Sequence, residues 1–539
     1  MAHRRTRPLA AAVALTAVAL TAVALAACAP DPEPYAPRVA SDGPPPVDAV
    51  QVPDGSIDAA VEELPGDIAK IMDTSGIPGV AVAVVHGDEV LFAEGFGVRE
   101  LGEPAKVDAD TVFQIASMSK PIAATVVASQ LGDELGWDTP AAPLLPGFSL
   151  QDPWVTEHVT VGDLFAHRSG LPPAAGDDLE DVGYDRDYIL GHLDLQPLNP
   201  FRTAYGYANF GLTAGAEAVA NAVGTDWETL SDEALYDPLG MDSTSSRYDD
   251  FLAEDDRAVL HTLERGEFTA LYQRDADAQT PAGGVSSSVN DLAKWLTLLI
   301  GDGMFDGQEL VDPDALLPAI TPQIVSSHSA APDHRAGSYG FGFNTGTDPT
   351  GHTTFSHSGA FSLGGSTNFQ VVPALDLGVV AITNGAPIGV PEAIVSTFLD
   401  RVQFGEVHRD WLADYGQALA HYTEPAGDLA GQEAPTDAAA PGRLDGYAGT
   451  WTNPYFGEAV VTVEGDALVA RLGPDGAYVL DLEPWDGDTF AYVPTGENAP
   501  WGSLASAAFT LDGVVDTMNL QFFDANGLGT WTRLGIGTP

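Results

Sequence analysis

The spacing of apolar and polar positions divides the chain into stretches of different character. Residues 9 to 27 are an almost unbroken run of Ala, Val and Leu. The Pro- and Asp-rich stretch that follows, "APDPEPYAPRVASDGPPPVDAVQVPDG", holds too little apolar surface to fold and reads as a spacer. Order is expected from near Val61. "PGVAVAVVHGDEVLFAEGFGVRE" reads as two apolar strands around the turn His86-Gly87-Asp88-Glu89, a hairpin. "FQIASMSKPIAATVVASQL" (113–131) then carries a helical apolar pattern with one polar knot at its start.

From about 130 to 300, helical patterns ("VTVGDLFAH", "FGLTAGAEAVANAVG", "VNDLAKWLTLLIG") alternate with Gly/Pro/Asp loops. Strand character returns at 353 in "TTFSHSGAF", "GSTNFQVVP" and "LGVVAITN", and "VPEAIVSTFLDRVQFG" reads as an amphipathic helix. This order suggests strands from both ends of one domain meeting in an antiparallel sheet, an α+β fold with a helical insertion. A second apolar-poor linker, "EPAGDLAGQEAPTDAAAPG", follows. Beyond it, period-2 alternation broken by Gly and Asp every 8 to 12 residues marks an all-β domain, a small barrel with no evident catalytic grouping. The expected division is 1–28 signal peptide, 29–55 linker, 56–405 α+β domain, 406–440 helix and linker, and 441–539 β-barrel.

At 539 residues and 45% hydrophobic composition the chain is long enough for two or three core-forming units. Its 22 basic against 77 acidic side chains give a net charge of −55, which repels phosphate backbones and disfavours nucleic-acid binding. The plain meaning of that charge is a solvating acidic coat. A single cysteine, Cys28, excludes an internal disulfide. It follows Leu25-Ala26-Ala27, behind arginines and the apolar run, as at the end of an export signal. The ending resembles the lipobox of bacterial lipoproteins, which implies lipid attachment at Cys28 and a fold on the outer face of the cytoplasmic membrane. An uncleaved anchor is the alternative, because the run is almost long enough to span.

The polar knot is Ser117-Met118-Ser119-Lys120, followed by Pro121. A helix beginning near Met118 puts Ser117 and Lys120, three apart, on one face. A serine hydroxyl needs a base to become a nucleophile, and lysine serves only when its pKa is pulled down. The helix N-terminus adds N–H groups and partial positive charge where an oxyanion would form. Pro121 suits this placement, since the carbonyl it would crowd belongs to Ser117 at the helix boundary. The competing reading is a capping serine beside a solvated lysine. Lysine is scarce here (Lys70, Lys106, Lys120 and Lys294), which makes that coincidence less natural.

Further along stand Tyr207-Ala208-Asn209 and His357-Ser358-Gly359. Ser-x-x-Lys, Tyr-x-Asn and a basic residue-x-Gly strand, in that order, resemble the serine β-lactamase and penicillin-recognising hydrolase superfamily. The branch is that of class C β-lactamases, D-alanyl-D-alanine carboxypeptidases and related esterases. "TVGDLFAHRSGLP", "DPLGMDST", "PAGGVSSSVNDLAKWL" and "YGFGFNTG" add to the resemblance, which covers about residues 60 to 405. The region from about 441 resembles the small β-barrel often appended to such hydrolases.

The resemblance implies that Ser117 is acylated, Lys120 holds its proton network, and Tyr207 is a general base with its phenol pKa lowered by Lys120. It also implies that Asn209 bonds the substrate amide or Lys120, and that the N–H groups of Ser117 and Ala360 form an oxyanion hole. Ser358 and Gly359 would line the substrate strand, with Gly359 allowing close approach. His357 stands where many members carry lysine, so a permanent cation for a substrate carboxylate is missing and strong β-lactamase activity is doubtful. His167, in "AHRSG", reads as a loop-ordering residue. There is no Gly-x-Ser-x-Gly, no His-Glu-x-x-His and no Cys/His zinc spacing, so no metal or cofactor is expected. The expected partner is a small acyl substrate, such as a peptidoglycan-derived peptide; a catalytically silent scaffold of the same fold is the alternative.

Overall fold

The structure is a computed structural model that describes residues 51–511 and 516–534. The expected signal peptide, Cys28 and most of the Pro/Asp-rich linker lie outside the described residues. Among the described residues no helix is long and apolar enough to cross a membrane.

The first element is a helix, α1 (Ser56–Ser75), where order was expected only from near Val61. It buries Ala60, Leu64 and Ile68 along one face, and Pro65 in its interior masks the helical pattern in the sequence. The hairpin follows as β1 (Gly79–His86) and β2 (Glu89–Gly97). Then come α2 (Ser119–Gln130), α3 (Asn209–Val223) and α4 (Val289–Ile300), near the bounds their apolar patterns suggested.

Three short strands of the main sheet were not anticipated: β3 (Ile324–Ser327), β4 (Gly337–Tyr339) and β5 (Asn344–Thr347). Each has only three or four residues, too few for alternation to register. The three strands expected after 353 are β6 (Thr353–Phe361), β7 (Gly365–Val372) and β8 (Leu377–Thr383). All eight form one antiparallel sheet in the order β2-β1-β8-β7-β6-β5-β4-β3. The two ends of the domain meet at β1 and β8, with Val82 opposite Ala381.

Both faces of this sheet are covered. Val80, Val82 and Val84 of β1 pack with α1 and with Ile394 and Phe398 of α5 (Val390–Phe404). Ala81, Ala83 and Val85 point the other way, into the core that holds Leu292, Trp295 and Leu296 of α4. Such two-sided burial explains why β1 reads as a continuous apolar run. Helix α5, expected to be amphipathic, is buried on most sides. Its outer side meets α6 (Trp411–Ala418), where Tyr415 and Ser396 share a hydrogen bond of 3.0 Å.

The C-terminal strands are β9 (Gly449–Asn453), β10 (Gly457–Glu464), β11 (Ala467–Leu472), β12 (Tyr478–Asp486), β13 (Thr489–Tyr492), β14 (Ala505–Thr510), β15 (Thr517–Leu520) and β16 (Thr530–Arg533). They close into a barrel through β9 and β16, with Trp451 opposite Arg533. The barrel is docked on the helical insertion by a shared apolar cluster that includes Leu179, Ile189, Phe210, Tyr455 and Phe456. Polar contacts fix its orientation: the Tyr184 hydroxyl donates to the Phe456 carbonyl (2.8 Å) and the Tyr455 hydroxyl to Asp178 (2.8 Å).

Candidate active site

A short 3-10 turn, Ala116–Met118, leads into α2, and Ala116 has φ +48°, in the left-handed region that a residue with a Cβ seldom occupies. Ser119 pins this bend: its hydroxyl donates to the Ala116 carbonyl (2.7 Å) and accepts from the Val285 N–H (3.0 Å). The local structural work therefore belongs to Ser119. Ser117 makes no capping bond to the helix and stays half-buried amid fully buried neighbours. An outlier of this kind at the start of a buried helix is a common way of presenting a nucleophile.

Lys120 is fully buried. Its Nζ lies 2.9 Å from Ser117 Oγ, 2.8 Å from the Ala282 carbonyl and 4.6 Å from the centre of the Tyr207 ring. Desolvation pulls the amine down to about 7, although nearby Asp177 opposes the shift. A neutral amine that donates one N–H to Ala282 keeps its lone pair for the Ser117 proton.

Tyr207 departs from expectation in one respect. Burial holds its phenol well above 10, and a hydrogen bond to Ser117 offsets only part of that. The expected lowering by Lys120 is overruled because losing water penalises the phenolate more strongly. Tyr207 thus stays a neutral hydroxyl at neutral pH, and Lys120 is the group poised to take a proton. His167 is buried at φ +54° and accepts from the Ala208 N–H through Nδ1 (3.2 Å), while its carbonyl accepts from Gly206. It orders the segment carrying Tyr207, and burial drives its ring to the neutral form.

His357 is also buried and neutral, its pKa brought down to about 3 by desolvation and by Lys120. Nδ1 lies 2.6 Å from the Ser358 carbonyl, which can only accept, so Nδ1 carries the proton and Nε2 accepts from the Tyr339 hydroxyl at 2.9 Å. Its ring backs the Tyr207 wall and does not line the cavity at Ser117. The Ser358 hydroxyl accepts from Asn368 (2.9 Å) and also does not line that cavity. Gly359 sits directly behind Ser117: a Cβ there would stand 2.3 Å from the Ile115 carbonyl and 3.0 Å from the Ser117 nitrogen. Ala360, next along β6, lines the cavity.

The cavity has a volume of about 490 Å³ and contains Ser117, Tyr207, Asn209 and Ala360. Asn209 donates to Asp177 Oδ2 (3.0 Å), a partner other than the substrate or Lys120 expected for it. The far wall was missed entirely by sequence reasoning. It comprises Asp177, Glu180, Arg274 and Gln279, together with Glu497 and Asn498 from the barrel. Arg274 donates to Glu180 (2.7 Å). Glu497 accepts from the N–H groups of Ser362 and Leu363, just past the end of β6. Asp181 holds the barrel loop by accepting from the N–H groups of Glu497 (2.9 Å) and Asn498 (3.2 Å). Residues 177–181 belong to none of the motifs picked out above, and nothing local in the sequence marked Glu497. Only the fold brings them to Ser117. Among the described residues no group of His, Cys, Asp and Glu could hold a metal.

A model of the family described as Beta-lactamase matches residues 64–400, and one described as Domain of unknown function (DUF3471) matches residues 433–530. Unguisins hydrolase ungD' of Aspergillus campestris is 28% identical over 334 residues, 59% of this chain and 60% of that protein. For ungD of Aspergillus violaceofuscus the chain spans only 42% of the relative's length. Penicillin-binding protein 4 of Amycolatopsis lactamdurans is 30% identical over 57% of this chain and 81% of its own. The solved octameric penicillin-binding protein homologue from Pyrococcus abyssi shares the fold at 19% identity, with a TM-score of 0.56 over 88% of this chain and 100% of that one.

Proposed function

Because the chain belongs to the Beta-lactamase family, we propose that it is a serine hydrolase working through an acyl-enzyme on Ser117. The observation that carries this reading is the 2.9 Å approach of Ser117 Oγ to a lysine amine that desolvation holds at about 7. In the proposed reaction Oγ attacks the substrate carbonyl carbon as its proton passes to Lys120 Nζ. The N–H groups of Ser117 and Ala360 stabilise the oxyanion. The carbonyl–leaving-group bond then breaks, and the leaving atom takes its proton from Lys120 through the Tyr207 hydroxyl. Water enters by the same route and releases the acid.

The proposed substrates are small esters, amides or D-amino-acid peptides. Buried, neutral His357 offers no cation to a substrate carboxylate, which supports weak action on β-lactams. We infer from the Leu25-Ala26-Ala27-Cys28 ending that the enzyme is held outside the cytoplasmic membrane by a lipid on Cys28; mass analysis of the mature N-terminus tests this. For the chemistry, purified protein is incubated with p-nitrophenyl acyl esters and a fluorescent penicillin, with Ser117→Ala as control. Turnover and a covalent adduct on the Ser117 peptide are expected. Turnover that survives Ser117→Ala would overturn the mechanism, and absence of adduct and turnover on every acyl donor would favour a silent scaffold.

A further inference from the structure

The wall facing Ser117 carries more carboxyl groups than basic partners, and some of their buried oxygens are left unpaired. Asp177, Glu180, Glu424 and Glu497 line the cavity. The basic side chains that line it are His421 and Arg274; Arg274 is bonded to Glu180, and its Nε, without a hydrogen-bond partner, lies 4.0 Å from Glu497, while Lys120 stands behind the lining, bonded to Ser117 and Ala282. Three buried oxygens have no hydrogen-bond partner among the described residues: Asp177 Oδ1, Glu180 Oε1 and Asn209 Oδ1. The Glu180 side chain is only 6% exposed. Buried acceptors left without donors are uncommon in folded proteins and call for a ligand or a function.

Asp177 and Glu180 stand three apart on the helix Asp177–Val182, so their carboxylates share one face. Asn209 is tied to Asp177 at 3.0 Å. All three residues line the same cavity as Ser117. A carboxylate placed there would meet like charge, and a neutral amide could serve one or two of them. A primary ammonium brings one positive charge and three N–H donors.

We infer that this wall is a subsite for a protonated primary amine of the substrate, with Glu180, Asp177 and Asn209 as its acceptors. The inference deepens the acyl-enzyme reading and rests on it for the identity of the bound molecule as substrate. Arg274 neutralises only part of the wall, and its salt bridge fixes the Glu180 carboxylate. The barrel holds the wall closed by pinning residues 362 and 363 through Glu497 and by the grip of Asp181 on its loop. Burial pushes Asp177 to about 8, so an arriving cation would draw it to the charged form, a cost that only a charged ligand recovers.

The test separates binding from chemistry. Full-length Ser117→Ala protein is titrated calorimetrically with D-alaninamide and with N-acetyl-D-alaninamide, and again in the Ser117→Ala/Glu180→Gln double variant. The free amine is expected to bind at least tenfold more tightly than the acetylated form, and Glu180→Gln should reduce that ratio about tenfold. Far-UV circular dichroism establishes that each variant is folded; if Glu180→Gln is not, Asn209→Ala replaces it with the same expectation. Equal affinities, tighter binding of the acetylated amide, or no binding of either would overturn the subsite. Because this readout needs no turnover, it fails independently of adduct formation at Ser117, which alone decides the acyl-enzyme reading.

Discussion

Nζ of Lys120 lies 2.9 Å from Oγ of Ser117, on a side chain with no exposed surface. Its neighbours Ser119 and Ala282 fix the turn and the amine, so neither reacting group must reorganise before attack. Removing either should cripple kcat more than it alters KM. Ser117→Ala and Lys120→Ala are each expected to lower kcat about 10³-fold or more, and not additively in the double variant, because the two act as one unit. Steady-state kinetics on p-nitrophenyl acetate measures this.

The pH dependence follows from the direction of the Lys120 shift. With its pKa lowered from 10.5 to about 7, the amine is a usable base above about 7 and is blocked by protonation below it. The rate on a neutral ester should therefore climb about tenfold per pH unit on the acid limb and level off above about 7. Asp177 raises the Lys120 pKa, so Asp177→Asn should move that limb to lower pH. A limb that stays in place would show that another group controls it.

Gly359 should not tolerate a side chain. A Cβ would press against the Ile115 carbonyl and Thr367 Oγ1, both at 2.3 Å, and against the Ser117 nitrogen at 3.0 Å. Backbone cannot move aside as the tip of a flexible side chain can. Gly359→Ala should cost about 1–3 kcal/mol of stability and displace the turn carrying Ser117. Chemical denaturation and kcat on the same variant check both effects.

Asp163 anchors the loop behind Tyr207. Its carboxylate, with no exposed surface, accepts from Arg168 (2.7 Å), Arg202 (2.7 Å) and the Thr160 N–H (3.1 Å). Burial alone would raise its pKa; the hydrogen bonds from Arg202 and Arg168 outweigh that and hold it below 3.8. Its stabilisation is thus fully present above the unfolded pKa and is lost as pH falls through the lower folded value. Asp163→Ala leaves two guanidinium groups without their shared carboxylate and should cost about 3–5 kcal/mol near neutral pH. The difference from the unsubstituted protein should shrink on acidification, as thermal melts over a pH series would show.

The glutamate supplied by the barrel offers a test of how the two parts of the chain cooperate. Glu497 is a positioning residue: burial pushes its carboxyl to about 8, and it holds the backbone just past Ala360. Glu497→Ala should release that segment, with kcat falling about tenfold or more while the thermal midpoint moves by only a few degrees. Rescue by Glu497→Gln, which keeps one acceptor oxygen, would separate this role from simple packing.

Much of the molecule is written in local patterns. The hairpin at 79–97, the strands β6 to β8 and the helices α2 to α5 follow from apolar periodicity and turn residues, because each buries a continuous apolar face. The pairing of Ser117 with Lys120 is local too, since a three-residue spacing at a helix start sets it. Helix α1 and strands β3 to β5 were hidden, one by an internal proline and the others by being too short for a period to show.

What only the tertiary structure decided is the environment of each group. Whether Tyr207 is lowered by a cation or raised by burial depends on how much water the fold removes, and burial prevails. His357 keeps no charge because the fold buries it and sets it near Lys120, and these outweigh the opposing hydrogen bond to the Ser358 carbonyl. Glu180 and Glu497 stand 317 positions apart in sequence and meet in one cavity wall only because the barrel docks on the helical insertion. By itself the sequence determined the pairing of Ser117 with Lys120 and the frame that holds it, since both depend on short-range spacing. The charge of the wall facing Ser117 is a long-range property, set by packing and desolvation.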